Sequence, residues 1–238
     1  MANRATPPDG RRHARARRVG GVRRELGRPT RERKSKRMMA TATGRLIAFE
    51  GLDQSGKETQ AQELRERLRA QGYKVRLLSF PDYGTSIGEE IARALQGERD
   101  YGPDVMQLLF IANRYERKPA VERWIDGGLI LVCDRYRASS IAYGEAHGLD
   151  AGWLTEIQRF LPQADLTILL DISPETALRR KTVGSDRYER DLELLERVRE
   201  SYRRQATQAD WEIVDGEQPK AAVTERVARI VDERLWRR

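Results

Sequence analysis

The stretch Arg45-Leu46-Ile47-Ala48-Phe49-Glu50-Gly51-Leu52-Asp53-Gln54-Ser55-Gly56-Lys57-Glu58-Thr59 decides the fold. Its first six residues are of types that suit a β-strand. Lys57 opens a run in which Ala61, Leu64 and Leu68 recur three and four apart, so a one-sided helix is expected over 57–71, ended by Gly72. Between strand and helix stands Gly-x-x-x-x-Gly-Lys, from Gly51 to Lys57. Glycines there let successive backbone N–H groups face phosphate oxygens, the helix N-terminus adds its positive dipole end, and Lys57 can reach the outer phosphates of a nucleotide. The plainer alternative is a glycine turn with an incidental lysine. In the usual motif the residue after the lysine is Ser or Thr, whose hydroxyl binds Mg²⁺; here it is Glu58, with Thr59 behind it. Glu58 can ligate the metal or point aside, leaving the metal to other acids such as Asp53 and Asp134.

Outward from this loop the chain alternates strand and helix. Residues 74–80 form the next expected strand, stopped by Pro81; helices follow around 87–96 and from Pro103 to about Trp124, Pro103 suiting a first helical turn. The runs 129–133 and 166–172 are continuously apolar, as strands covered on both faces are. Residues 211–214 make a short last strand, and Val223, Val227, Ile230, Val231 and Leu235 stripe a closing helix. Five strands interleaved with helices predict an α/β, three-layer, doubly wound fold with a parallel sheet.

The chain of 238 residues carries a net charge of +8, and that charge is unevenly placed. Residues 1–43 hold fourteen Lys/Arg against three acids, so 44–238 is mildly acidic, with 31 basic and 34 acidic residues. The first segment has few large apolar residues and is interrupted by Pro7, Pro8, Pro29 and Gly20-Gly21, a composition that predicts a disordered basic tail. A start set too early is an alternative, since Met38-Met39 stands just before the first strand. An electrostatic nucleic-acid arm and an organelle transit peptide are two others, the last weakened by the single serine, Ser35. The folded domain is expected over 44–238. No apolar run nears the roughly 20 residues needed to span a bilayer. The one cysteine, Cys133, excludes an internal disulfide, and a cytoplasmic setting is expected. His13 and His147 have no metal-ligand neighbours at useful spacing.

Asp134-Arg135-Tyr136 follows the apolar strand at 129–133, and residues just past strand C-termini line the ligand crevice in sheets of this type. There an Asp can hold Mg²⁺ or its water, and an Arg can grip a phosphate with two N–H groups.

Four motifs then resemble, in order, those of the thymidylate kinase family: Phe49-Glu-Gly-Leu-Asp53 with Gly56-Lys57; Phe80-Pro-Asp-Tyr83-Gly-Thr-Ser-Ile-Gly88; Leu109-Phe110-Ile-Ala-Asn113-Arg114; and Asp134-Arg-Tyr-Arg-Ala-Ser139-Ser140-Ile-Ala-Tyr143-Gly144. A lid-like segment follows, Arg179, Arg180 and Lys181 with Asp186-Arg187-Tyr188-Glu189. The resemblance covers nearly all of 44–238. It implies a P-loop kinase that moves the γ-phosphoryl group of ATP, with Mg²⁺, to dTMP, and it implies a homodimer.

The resemblance also implies residue roles. Gly51, Leu52, Asp53, Gln54, Ser55, Gly56, Lys57, Glu58 and Thr59 would bind ATP. Phe110 would stack on thymine, Arg114 would hydrogen-bond its exocyclic oxygen, Ser140 would touch the base and Tyr143 would crowd the sugar 2′ position. Phe80, Tyr83, Asp186 and Tyr188 complete the substrate side. Arg135 would hold the monophosphate, Asp53 would lie near sugar and metal, and Lys57, Arg135, Asp53, Arg180 and Arg187 would be catalytic. Phe110 and Tyr143 can alternatively be core aromatics, and Arg114 can pair with Glu116 or Asp126. Two positions depart from family patterns: Tyr83 stands where some members carry Arg, and Gln54 where one subgroup has a loop Arg. Members without that loop Arg supply lid cations, here Arg179, Arg180, Lys181 and Arg187. A kinase for another nucleotide or deoxynucleoside is the nearest alternative. A nucleotide-sensing or nucleic-acid-binding module with a disabled loop is the other. Beyond nonspecific contact by the tail, no nucleic-acid partner is expected.

Overall fold

In the computed structural model, residues 44–180 and 192–235 are described. Five strands make one parallel sheet: β1 (Arg45–Glu50), β2 (Val75–Ser79), β3 (Ile130–Asp134), β4 (Leu166–Asp171) and β5 (Trp211–Asp215), in the order β2-β3-β1-β4-β5. Every expected strand is present, with ends within one residue of those read from the sequence. The helices are α1 (Lys57–Ala70), α2 (Ser86–Leu95), α3 (Pro103–Asp126), α4 (Arg137–Ala146), α5 (Ala151–Glu156), α6 (Pro174–Arg180), α7 (Leu192–Gln205) and α8 (Lys220–Leu235).

Side chains of successive strand residues point to opposite faces, and both faces of β1 are covered. Ile47 and Phe49 pack with Ala61, Leu64 and Leu68 of α1 and with Val223, Val227, Ile230 and Val231 of α8. Leu46 and Ala48 face Val121 of α3, while Leu169 of β4 meets Ala138 and Ala142 of α4 and Leu195 and Val198 of α7. Each fully buried Leu, Ile or Phe contributes about 1.5–3 kcal/mol relative to exposure, so the two faces lock the sheet between helical layers. This is the three-layer architecture that the apolar runs predicted.

Central β1 pairs with β3 (Phe49 beside Asp134) and with β4 (Ile47 beside Leu166). The C-terminal ends of β1 and β3 therefore stand side by side, and the loops after them open onto one crevice. Helices α4 to α7 were not anticipated individually. The buried face of α4 consists of small residues, Ala138, Ser139, Ser140, Ala142, Gly144 and Ala146, so no strong apolar stripe marks it. The stripe of α7, Leu194, Leu195, Val198 and Tyr202, lies among many charges. The basic segment 1–43 and residues 181–191 lie outside the described residues, and with them the tail, Lys181, Asp186, Arg187, Tyr188 and Glu189.

Candidate active site

The chain leaves β1 through Gly51, whose φ is 137°, a conformation glycine tolerates. A Cβ there would lie 2.5 Å from the Leu170 carbonyl oxygen, so a side chain is excluded by space as well. The loop turns again at Gln54 (φ 63°) and at Gly56 (φ 94°), which caps α1 without any side-chain hydrogen bond. The first-turn amides of α1 are thus left for an anion, and the helix dipole favours one. Lys57 is buried and arches back over the loop, its Nζ donating to the Leu52 carbonyl at 2.7 Å and standing 3.9 Å from an Asp53 carboxylate oxygen. Glu58 and Thr59 are exposed on the same turn and line the cleft.

Asp134 ends β3 opposite this loop. Burial raises its pKa, Lys57 lowers it, and the nearby Glu50 and Glu58 raise it. Its Oδ1 is buried without a hydrogen-bond partner. An orphaned carboxylate oxygen beside a phosphate loop fits a Mg²⁺ ion or its coordinated water. Among the described residues, no group of three or more His, Cys, Asp or Glu could hold a metal by itself. Mg²⁺ commonly uses one or two carboxylates together with substrate phosphates.

Arg135 adopts a left-handed backbone (φ 62°), and its N–H donates to the Phe49 carbonyl at 2.9 Å. That turn throws its guanidinium into the cleft, where it forms an ion pair with Asp53 and lies 5.4 Å from the Tyr143 ring centre. Burial opposes its charge, yet Tyr143, Tyr202 and Glu50 outweigh burial and raise its pKa further. Asp53 thus faces two cations, Lys57 and Arg135.

Arg114, 3% exposed, extends from α3 to donate to Ser140 Oγ of α4 at 2.8 Å and to the Phe110 carbonyl at 3.2 Å. It pairs with neither Glu116 nor Asp126. Burial lowers its pKa, and its Nε has no partner. Phe110 is half-buried at the cleft wall, outside the main apolar clusters, whereas Tyr143 both packs on one cluster and lines the cleft. Phe80 is buried at the base of the cleft, and Tyr83, 50% exposed, stands at its mouth. The loop bearing both is held to α3 by Asn113, whose Oδ1 accepts from Asp82 N–H at 2.7 Å and whose Nδ2 donates to Thr85 Oγ1 at 2.8 Å.

One cleft of about 410 Å³ is lined by all of these groups: Asp53, Lys57, Glu58, Asp134, Arg135, Phe110, Arg114, Ser140 and Tyr143. Of the lid cations, Arg180 reaches the phosphate loop, donating to the carbonyls of Gln54 (3.4 Å) and Gly216 (3.1 Å). Arg179 instead bonds Thr176 Oγ1 of its own helix at 2.8 Å, as a solvated helix face would. The sequence reading gave no role to Glu50, Ser139 or Tyr202, which cluster behind Arg135, nor to Gln107, which lines the cleft one turn before Phe110. An acid directly after the apolar run 46–49 of β1 was the available signal for Glu50.

The thymidylate kinase family model matches residues 49–227. Among curated relatives, thymidylate kinase from Schizosaccharomyces pombe is 41% identical over 161 residues, 68% of this chain and 76% of that protein. The Homo sapiens thymidylate kinase is 34% identical over 198 residues, 82% of this chain and 92% of that one. The solved structure of thymidylate kinase from Candida albicans superposes with a TM-score of 0.72 at 30% identity, covering 80% of this chain and 92% of that chain. A family model over most of the chain, a shared fold and relatives aligned over most of their length lead to one conclusion: the chain belongs to the thymidylate kinase family.

Proposed function

We propose that this enzyme transfers the γ-phosphoryl group of MgATP to the 5′-phosphate of dTMP, giving dTDP on the route to dTTP, within the cleft between the phosphate loop, α3 and α4. The observation that carries this reading is the single cleft in which a phosphate cradle, a buried arginine and an aromatic wall with a base-reading arginine converge. The helix N-terminus at Lys57 receives the β and γ phosphates, with Lys57 swinging from the Leu52 carbonyl onto phosphate oxygens. Gly51 to Thr59 wrap the triphosphate, and Arg180, already on the loop backbone, adds charge at its outer side. Asp134 would hold the magnesium or its water, with Glu58 and Asp53 nearby; the metal would neutralise charge building on the transferring group.

On the acceptor side, Phe110 stacks on thymine, Arg114 donates to its exocyclic oxygen, and Ser140 contacts the base. Tyr143 fills the space a 2′-hydroxyl would need. Phe80 and Tyr83 flank the nucleotide, and Arg135 grips its phosphate once Asp53 yields to it. Asp186, Arg187 and Tyr188 are proposed to complete the site. The acceptor phosphate is already an anionic nucleophile, so no general base is required, and the rate comes from alignment and from cations around the moving group. Tyr83 brings no charge where some relatives use Arg, which leaves Arg135 as the main phosphate grip.

Val105 and Leu108, apolar yet exposed on α3, support a homodimer. No described helix is long and apolar enough to cross a membrane, which suits the cytoplasmic placement proposed here. Incubation with ATP labelled at its γ-phosphate and with dTMP tests the reaction directly. Label should appear in dTDP, and its absence from dTDP would overturn the reading.

A further inference from the structure

Behind the Arg135 guanidinium lies a buried cluster of Glu50, Ser139 and Tyr202, of which Ser139 also borders the cleft. Glu50, fully buried at the end of β1, takes a hydrogen bond from the Tyr136 N–H at 2.8 Å on one carboxylate oxygen. Its other oxygen accepts from Ser139 Oγ at 2.6 Å and from the Tyr202 hydroxyl at 3.2 Å. Ser139 and Tyr202 also meet each other, at 2.9 Å between hydroxyl oxygens. Arg135 Nη1 stands 3.3 Å from Ser139 Oγ and 3.4 Å from the Tyr202 oxygen. Three elements, β1, α4 and α7, thus meet under one nitrogen of the acceptor arginine.

Counting protons orders the cluster. A guanidinium only donates, and each hydroxyl owns one proton and two lone pairs. The 2.6 Å contact commits the Ser139 proton to Glu50. The Tyr202 proton then goes to Ser139 or to Glu50, either way toward the carboxylate and away from Arg135. Both hydroxyl oxygens are left with lone pairs turned to Arg135 Nη1. Burial and the Glu50 charge hold the Tyr202 pKa well above its ordinary value, against the influence of Arg135, so the phenol keeps its proton.

We infer that Glu50, Ser139 and Tyr202 are positioning residues for phosphoryl transfer: the buried carboxylate polarises two hydroxyls into a fixed pair of acceptors that orient the Arg135 guanidinium for the acceptor phosphate. Arg135 also needs Asp53 to let go when phosphate arrives, and this rear clamp is what keeps its plane in place during that exchange. Tyr202 brings α7 into the arrangement, so the helix after residue 191 contributes to acceptor binding without touching the acceptor. The inference rests on the role proposed above for Arg135.

The test is Tyr202→Phe, which removes one oxygen from a buried ring, with Ser139→Ala and the near-isosteric Glu50→Gln as companions. Glu50→Gln puts an N–H₂ where the hydroxyls expect an acceptor and so reverses the order. Steady-state kinetics should show kcat/KM for dTMP falling about tenfold in Tyr202→Phe, through a higher KM for dTMP, with KM for ATP within about twofold of wild type. Glu50→Gln should fall at least as far. A crystal structure of Tyr202→Phe should show the Arg135 guanidinium turned from its present plane. An unchanged kcat/KM for dTMP, an equal rise in both KM values, or an unmoved Arg135 would overturn the inference. If the wild-type enzyme does not use dTMP at all, the proposed reaction fails, and the position of Arg135 in the variant still decides on the clamp.

Discussion

Arg114 of α3 donates to the Ser140 hydroxyl of α4 at 2.8 Å, tying together two walls of the cleft where base reading is proposed. Neither helix is adjacent to the other in sequence through a short turn, so this contact depends on the whole sheet placing them. Burial already disfavours the Arg114 charge, and its Nε is unpartnered, which leaves donor capacity for a ligand. Arg114→Met keeps the length and loses the donors. A hydrogen bond from a charged group is worth about 1.5–3 kcal/mol, so kcat/KM for dTMP should fall roughly 10- to 150-fold, with KM for ATP nearly unchanged. Initial-rate kinetics at varied dTMP checks this, and an unaltered kcat/KM for dTMP would remove Arg114 from the base site.

Lys57 and Arg135 are the two cations assigned to the reacting phosphates. Removing one preorganised charge contact of this kind costs about 10²- to 10³-fold in kcat. Lys57→Ala and Arg135→Ala should each lose at least that much while keeping the wild-type circular dichroism spectrum. Near-normal turnover in either variant contradicts its role.

Asp134 is the carboxylate with a buried, unpartnered oxygen beside the phosphate loop. Asp134→Asn keeps the shape and removes the charge that would meet a metal or its water. The Mg²⁺ concentration giving half-maximal rate should rise about tenfold or more. A Mg²⁺ titration of initial rate measures this, and an unshifted midpoint excludes Asp134 from metal handling.

Asp171 ends β4 and receives Arg199 at 2.8 Å and Arg203 at 2.6 Å, both from α7. Burial tends to raise its pKa, but the hydrogen bonds and charges of the two arginines prevail and lower it. A carboxylate with a depressed folded pKa adds stability above its ordinary value of about 3.9, and that stability is lost as pH falls through the folded value. Asp171→Asn should therefore lower Tm by about 2–4 °C at neutral pH, for a loss of about 1 kcal/mol. The gap should close as the pH drops below about 4. Melting curves from pH 7 to pH 3 check the sign, and a gap that widens on acidification contradicts it.

The strands were legible because burial on both faces writes continuous apolar runs, as in residues 129–133 and 166–172, which the sheet matches to within a residue. The phosphate loop was legible because its glycines answer to backbone geometry alone. Positive φ at Gly51 and Gly56 needs no tertiary information to expect. Helix α4 was hidden because close packing against α7 selects small side chains, which carry no amphipathic signal. The clamp of Glu50, Ser139 and Tyr202 was hidden for a different reason. Its members lie 89 and 63 residues apart in their closest pairs, so only the folded sheet reveals that they meet. The pairing of Asp53 with Arg135 was equally invisible, and only the folded sheet brings the two side chains together.

The most direct test of the central claim is an acceptor panel: the full-length protein with MgATP against dTMP, dUMP, TMP with a ribose, dCMP, dGMP, dAMP and thymidine, comparing kcat/KM. The account predicts dTMP as the preferred acceptor, a strong loss for the ribonucleotide through Tyr143, and a strong loss for dCMP, whose exocyclic amine cannot accept from Arg114. Preference for any other acceptor, or no transfer to dTMP, would contradict it.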